Sequence, residues 1–336
     1  MSSSNKIKAV GLVSGGLDSS VVIQVVKNMG IDVHCIFFAL PFSCGNYTNA
    51  QAACDYADLP LKVVQLNEEY LDMVKNPKYG RGSAINPCID CKIFMITKAG
   101  EYMREIGADF VFTGEVLGQR PMSQVKHALE LIDRKCGVAG RLLRPLCGQL
   151  LPATIPEQEG KIDRNKLLAI SGRSRKQQRE LAAQFGITSF PQPAGGCLLT
   201  DKNFGNRMKD LFQHGYRDLN DIISLTWGRH YRIDNENKCI LGRDDEENQQ
   251  LIKYAHPEDY VVQFVDKQGP TLIFINPKKE TNPAALLEVS GLVQYFSKQK
   301  NSAPQIMEAW QAMDPNKKIP IQSSPLTEQW ITSRRV

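Results

Sequence analysis

Hydrophobic and polar positions along the first 120 residues switch between two periods. The runs "KAVGLV" at 8–13, "VHCIFFAL" at 33–40, "LKVVQL" at 61–66 and "DFVFTG" at 109–114 are short, apolar and rich in β-branched and aromatic residues. Strands buried on both faces read this way. Between them, residues about 18–29, about 48–58 and Cys91 to about Ile106 carry apolar side chains three and four apart, the spacing of helices. This alternation predicts an α/β fold, a doubly wound, mostly parallel sheet with ligands at the carboxyl ends of its strands. Gly114 and the segment after Val13 fall at such ends.

From 141 to 200 the pattern is less regular, and the basic stretch "GRSRKQQRELAAQFG" at 172–186 reads as a helix stopped by its last glycine. Beyond Asp201 the character changes. "RHYRIDNENKCILG" and "YVVQFVDKQGPTLIFI" predict hairpins, "DDEENQQLIKYA" and "NPAALLEVSGLVQYFSK" predict helices, and "DPNKKIPIQSSP" an extended end. The expected organisation is an α/β domain over 1–200, a connecting segment over 201–225 and a smaller α+β domain over 226–336.

Composition adds three constraints. With 336 residues the chain is long enough for two or three domains, and its net charge of +5 suits contact with a polyanion. The start "MSSSNKIKAV" has no apolar signal core, and the longest apolar run is too short to span a bilayer, so a cytoplasmic protein away from the membrane is expected. Nine cysteines, an odd number, then argue for free, catalytic or metal-bound thiols rather than a disulfide framework.

The chemistry starts at "VSGGLDSS", residues 13–20, a strand-to-helix turn. Free N–H groups of a helix's first turn and its dipole favour an anion there, and Gly15 and Gly16 let the backbone approach it. No lysine stands where a Walker loop would need one, and the glycine spacing of a dinucleotide fold is missing. The stretch closely resembles the SGGxDS signature of the PP-loop ATP pyrophosphatases. That resemblance implies that Ser14, Gly15, Gly16, Asp18 and Ser19 bind the pyrophosphate end of ATP. It also implies that Asp18 helps hold Mg²⁺, that Phe38, Ala39 and Gly114 lie near the nucleotide, and that a carbonyl oxygen is adenylated.

Three cysteines narrow the chemistry. Cys88 and Cys91 form a C-x-x-C in "NPCIDCK" at the mouth of a helix, where thiolate is favoured, and Cys197 follows two glycines in "GGCLLTD". Such a set could hold a [4Fe-4S] cluster with one iron open, or let one cysteine carry a persulfide that another releases as a disulfide. A zinc site would want a fourth ligand, for which Cys44 is the candidate. With "GADFVFTGE", these segments resemble the tRNA thiouridylases. On that comparison Cys91 and Cys197 take the places of the two cysteines of the 2-thiouridylase family, while Cys88 and Glu115 stand where that family has aspartate and histidine. The third cysteine makes the set resemble the iron–sulfur-dependent tRNA thiolation enzymes.

The implied activity is an ATP-dependent tRNA sulfurtransferase using ATP, Mg²⁺ and a [4Fe-4S] cluster, with tRNA and a sulfur donor, hydrosulfide or a persulfide carrier protein, as partners. Lys92 and Arg120 could offset phosphate charge, and Arg173, Arg175, Lys176 and Arg179 offer a grip on the RNA backbone. The segment "GRHYRI…KCILGRDDEENQQL" resembles the RNA-binding module of the NFACT family, although no aromatic platform is clustered along that part of the chain. The alternatives are a PP-loop sulfurtransferase acting on a small molecule or carrier, and a non-catalytic RNA-binding protein.

Overall fold

Period-two alternation along the strands sorts the apolar residues of the first half into two cores. Ala9, Cys35, Phe37, Phe110 and Phe112 belong to one, and Val10, Ile36, Phe38 and Val111 to the other. The computed structural model describes residues 6–40, 42, 45–65, 67–138, 140–188, 190, 197–276 and 283–336. The chain divides into two compact units, Met1–Thr200 and Asp201–Val336.

In the first unit β1 (Lys8–Leu12), α1 (Leu17–Lys27), β2 (Asp32–Ala39), α2 (Tyr47–Tyr56), β3 (Leu61–Gln65) and α3 (Glu68–Lys75) come in turn. They are followed by α4 (Cys88–Glu105), β4 (Phe110–Phe112), α5 (Lys126–Lys135), β5 (Leu142–Leu143), α6 (Ile155–Gln158) and α7 (Lys176–Gln184). All five strands are parallel, in the order β3-β2-β1-β4-β5. The order reverses at β1, so a crevice opens between the ends of β1 and β4, where doubly wound sheets bind ligands.

Most expected elements are present, with shifts at their ends. The helix placed at Cys91 begins at Cys88, which brings both cysteines of the C-x-x-C into its first turn. The basic helix spans only Lys176–Gln184, so that Arg173 and Arg175 precede it. Leu66, the expected end of β3, lies outside the described residues. Helix α3, unforeseen in a polar segment, is carried by buried Tyr70, Leu71 and Val74 at helical spacing, with the Asn67 side chain capping its N-terminus.

The second unit begins with two helices, α8 (Lys202–His214) and α9 (Leu219–Ser224), in the segment expected to be a connection. Then come β6 (Arg229–Arg232), β7 (Lys238–Leu241), α10 (Asp245–Tyr254), β8 (Tyr260–Phe264), β9 (Leu272–Ile275), α11 (Pro283–Tyr295), β10 (Gln305–Gln311), β11 (Ile319–Ser323) and α12 (Glu328–Arg334). The strands form one antiparallel sheet in the order β11-β10-β8-β9-β7-β6, with the core of Val289, Leu292 and Val293 from α11 on one face and Leu251 of α10 on the other. Both hairpins are where the sequence placed them. The tail read as extended, residues 314–325, contains the strand β11, and the helix α12 follows it. Pro320 is accommodated because β11 is an edge strand, where a missing N–H costs no ladder bond.

A polar knot pins α8 to the hairpin: Asp210 accepts from Arg232 Nε at 2.9 Å, Arg232 Nη2 at 2.8 Å and the buried Lys238 Nζ at 2.8 Å. Burial pushes the Asp210 carboxyl up, but Arg232 and Lys238 outweigh it and bring it down to about 2. A carboxylate depressed in the folded state stabilises above its unfolded pKa of about 3.9, and that stabilisation is lost as pH falls through the folded value. In urea unfolding between pH 5 and pH 2, the midpoint of the second unit should therefore fall more steeply in wild type than in Asp210→Asn, which should already be less stable at pH 7. Parallel curves would show that the knot contributes nothing.

Candidate active site

The loop between β1 and α1 leaves a helix N-terminus open. The N-cap of α1 is Gly16, in an extended conformation and without a side chain to cap the first turn. Gly15 has φ +75, and a Cβ on it would stand 2.6 Å from Ala50 N and 2.9 Å from Asn46 O, so the loop lies directly against the start of α2. Ser19 Oγ donates to Gly16 O at 2.8 Å and accepts from Ser14 N at 3.3 Å, which closes the loop on itself. These contacts shape a concave run of backbone that suits phosphate oxygens.

Gly114, just past β4, meets the same turn from the other side of the crevice. A Cβ there would stand 2.7 Å from Asp18 O and 2.9 Å from Asp18 C. Asp18 is half-buried; its Oδ2 accepts from Gln119 Nε2 at 2.6 Å, while Oδ1 is buried without a hydrogen-bond partner. A single orphaned carboxylate oxygen beside a phosphate cradle is the donor Mg²⁺ takes, so Asp18 fits the ion. Gln119 is itself held by the fully buried Gln178 of α7, whose Nε2 donates to Gln119 Oε1 at 3.0 Å. Phe38 and Ala39 end β2 as expected, but the Phe38 ring lies in the core, which leaves its main chain for any ligand.

Around the cysteines, Tyr70 is the centre. Its hydroxyl lies 3.4 Å from Cys91 Sγ, and burial first, then the thiols of Cys91, Cys197 and Cys88, raise the phenol well above its usual range. Of the three sulfurs, Cys91 is the one in contact with that hydroxyl. Cys88 Sγ accepts from Asn86 Nδ2 at 3.1 Å, and Cys197 Sγ donates to Phe42 O at 3.3 Å. The 197–199 segment is stitched in place by Leu198 N to Phe42 O at 2.9 Å and Ile85 N to Leu199 O at 3.1 Å. Asp90, buried between the two cysteines of the C-x-x-C, accepts from Lys78 N at 2.8 Å and Tyr79 N at 3.0 Å, which fastens the preceding loop to α4.

Three half-buried thiols with soft donor atoms suit an iron–sulfur cluster. Among the described residues no group of three His, Cys, Asp or Glu is gathered to hold a metal ion. Gly195 and Gly196, and Cys44, lie outside the described residues.

Beneath the crevice runs a buried ionic chain. Glu115 accepts from Arg144 Nε at 3.1 Å, Arg144 Nη1 also grips Asp133 at 2.8 Å, and Lys92 Nζ stands 3.6 Å from Glu115. Burial pushes the Glu115 carboxyl up, yet Lys92 and Arg144 outweigh it and hold it below the usual carboxylate range. Lys92 is thus tethered beside Cys91, while Arg120 is exposed. Arg173, Arg175, Lys176 and Arg179 line an open cleft of about 520 Å³ with Ser174 and Glu180. Helix α7, which carries Lys176 and Arg179, also presents the buried Gln178 toward Gln119 and Asp18. Gln119 and Tyr70 were not singled out in the sequence. The first adjoins Arg120, and the second sits in the helix hidden by its polar neighbours.

A Gly-rich loop at the switch point of a five-stranded parallel sheet defines a PP-loop-like α/β unit, here followed by a separate antiparallel unit. Residues 7–133 match the family model described as tRNA methyl transferase HUP domain, and residues 228–333 the model described as NFACT protein RNA binding domain. The tRNA-specific 2-thiouridylase MnmA of Streptococcus sanguinis (strain SK36) is 26% identical over 281 residues, covering 74% of this chain and 72% of that protein. The protein of the same name from Dichelobacter nodosus (strain VCS1703A) is 29% identical over 212 residues, covering 58% and 53%. The chain is thus related to the 2-thiouridylases. Among the described residues, no helix is long and apolar enough to cross a membrane.

Gly114→Ala should force the β4 end and the α1 turn apart by the 2.7 Å clash, with the rest of the unit unchanged. Calorimetric titration with MgATP should show affinity reduced at least tenfold while the far-UV spectrum is preserved. Wild-type affinity would mean that the crevice is not where the nucleotide binds.

Proposed function

We propose that this protein is an ATP-dependent tRNA sulfurtransferase that replaces a uridine carbonyl oxygen with sulfur. The observation that carries the reading is the uncapped phosphate loop, met across the crevice by Gly114, in the same unit as a C-x-x-C at the start of α4 whose Cys91 lies 3.4 Å from the Tyr70 hydroxyl. Similarity to 2-thiouridylases over 74% of the chain supports the substrate. The loop residues Ser14, Gly15, Gly16 and Ser19 hold the pyrophosphate end of ATP, and Asp18, oriented by Gln119, holds Mg²⁺. The uridine oxygen attacks the α-phosphorus and pyrophosphate leaves. A sulfur nucleophile then attacks the activated ring carbon, and AMP departs with the former carbonyl oxygen. Lys92 offsets negative charge near the reacting groups, and Arg173, Arg175, Lys176 and Arg179 grip RNA phosphates.

Cys88, Cys91 and Cys197 are the residues that would hold a [4Fe-4S] cluster, and the chemistry it would supply is sulfide as the nucleophile. Tyr70 provides the hydroxyl that shields the thiols from water and can donate to Cys91. The second reading, a persulfide pair, is favoured by one detail. Cys91 and Cys197 are tied to Tyr70 and Phe42, whose rings are 6.0 Å apart, whereas Cys88 is drawn to Asn86.

Iron and acid-labile sulfide, measured on protein purified without oxygen, separate the two readings. The cluster predicts about four of each per chain, lost in Cys88→Ala. Iron-free protein that thiolates tRNA, with Cys88→Ala fully active, would leave the persulfide pair. In either case Cys197→Ser should abolish thiolation while MgATP binding persists, and Asp18→Ala should abolish AMP formation.

A further inference from the structure

We infer that the C-terminal unit carries a phosphate site at the edge strand β6, in which Arg207, Arg229, Arg243 and Arg335 grip the sugar–phosphate backbone of RNA. The inference rests on the reading that the substrate is an RNA, and it assigns these residues to holding that RNA.

Backbone geometry brings the four together from distant parts of the unit. Arg207, on α8, donates Nη1 to Leu225 O at 2.9 Å and Nη2 to Gly228 O at 3.0 Å, which fixes its guanidinium at the start of β6. Gly228 N and Arg243 N both donate to Glu247 Oε2, at 3.2 and 2.8 Å, and the Arg243 guanidinium closes on the same carboxylate. Arg229 opposes Leu241 in the β6–β7 ladder, two residues before Arg243. Arg335 pairs with Tyr231 in an isolated antiparallel bridge, and Val336 N donates to His230 O at 3.0 Å. Each arginine is thus anchored within a few residues of Gly228.

Positive charge at this place exceeds negative, with Glu247 as the carboxylate set among the four arginines. Glu247 is committed to Arg243 and to two backbone N–H groups, and among the described residues no carboxylate pairs with Arg207, Arg229 or Arg335. Arg207 Nε is buried without a hydrogen-bond partner, as is the hydroxyl of the fully buried Tyr231. Burial, with Arg243 and Arg335 as like-charged neighbours, holds Arg207 and Arg229 below the ordinary guanidinium range, although both remain cations. Four cations that share one carboxylate are stabilised by a bound anion, and the guanidinium fork matches phosphate oxygens.

The floor of the site also suits a nucleic acid. The Arg229 guanidinium lies 4.6 Å from the Phe296 ring centroid, Arg334 lies 4.9 Å from Trp330, and the Lys300 ammonium lies 3.9 Å from Tyr295. Tyr231 adjoins both Phe296 and Trp330, and Tyr295 touches Phe296. The sequence shows no aromatic cluster because these rings come from β6, the end of α11 and α12. Folding assembles them under the cations. An array drawn from β6, α8 and the segment after α12, with exposed Arg243 and Arg335, fits a chain of phosphodiesters rather than one small anion.

The test is tRNA binding by the full chain across a potassium chloride series, with thiolation by wild type measured in parallel. Arg229→Gln/Arg335→Gln should weaken binding about tenfold or more near 0.15 M salt and flatten the plot of log affinity against log salt by about 1.5. Arg229→Lys/Arg335→Lys should recover most of that slope, because charge rather than fold was removed. Wild-type affinity and slope in the glutamine variant, with tRNA binding and thiolation present in wild type, would overturn the inference and leave the proposed function standing. RNA binding that depends on these arginines in a protein that does not thiolate would do the reverse.

Discussion

The contact between Gly114 and the main chain of Asp18 is the constraint on which the site depends. It exists because β1 and β4 are neighbours at the point where the sheet order reverses, so that their two carboxyl ends face each other across a crevice. A side chain at 114 would separate them. With hydrogen alone, the β4 end closes on the first turn of α1 and the residues beyond it reach the loop, which is how Gln119 comes within 2.6 Å of Asp18. Through Gln178 the same contact extends to α7, whose outer face is basic. Lys176 and Arg179 are thereby carried by the same helix that reaches Asp18 through Gln178 and Gln119.

A second organising group is Tyr70. Its phenol is buried among sulfurs, where ionisation is strongly disfavoured, so it stays a neutral donor. The cysteines come from two segments more than a hundred residues apart, and each segment is held by backbone bonds or by the Asp90 carboxylate in addition to the contacts of the sulfurs. A centre supported in this way can change the state of its sulfurs without unfolding its surroundings. The buried Arg144–Glu115 pair plays a parallel part below, since removing one partner would leave a charge in the interior at a cost of about 3–5 kcal/mol.

Much of this was legible in the sequence because it is written in local patterns. Parallel strands between helices, the SGGxDS turn, the C-x-x-C at a helix mouth and the two hairpins all depend on residues close together in the chain. What was not legible depends on residues far apart. Gln119 is an unremarkable amide until the fold carries it to Asp18, 101 positions away. Tyr70 lay in a stretch whose acidic residues masked three buried positions. The aromatic and arginine array of the second unit draws on β6, α8, α11 and α12, so no window of sequence contains it. Strand β11 was hidden by Pro320, a residue that argues against a central strand and is harmless at an edge.

The measurement that tests the central claim most directly is the fate of the uridine oxygen. Unmodified tRNA would be incubated with the protein, MgATP and sulfide under anaerobic conditions, and its nucleosides analysed by mass spectrometry alongside AMP. The account predicts a thiouridine, formed in step with AMP and pyrophosphate. It also predicts that tRNA carrying ¹⁸O at the modified carbonyl passes that label to AMP. AMP released without the label, or thiouridine formed without ATP consumption, would contradict adenylation of the uridine and with it the account of the loop.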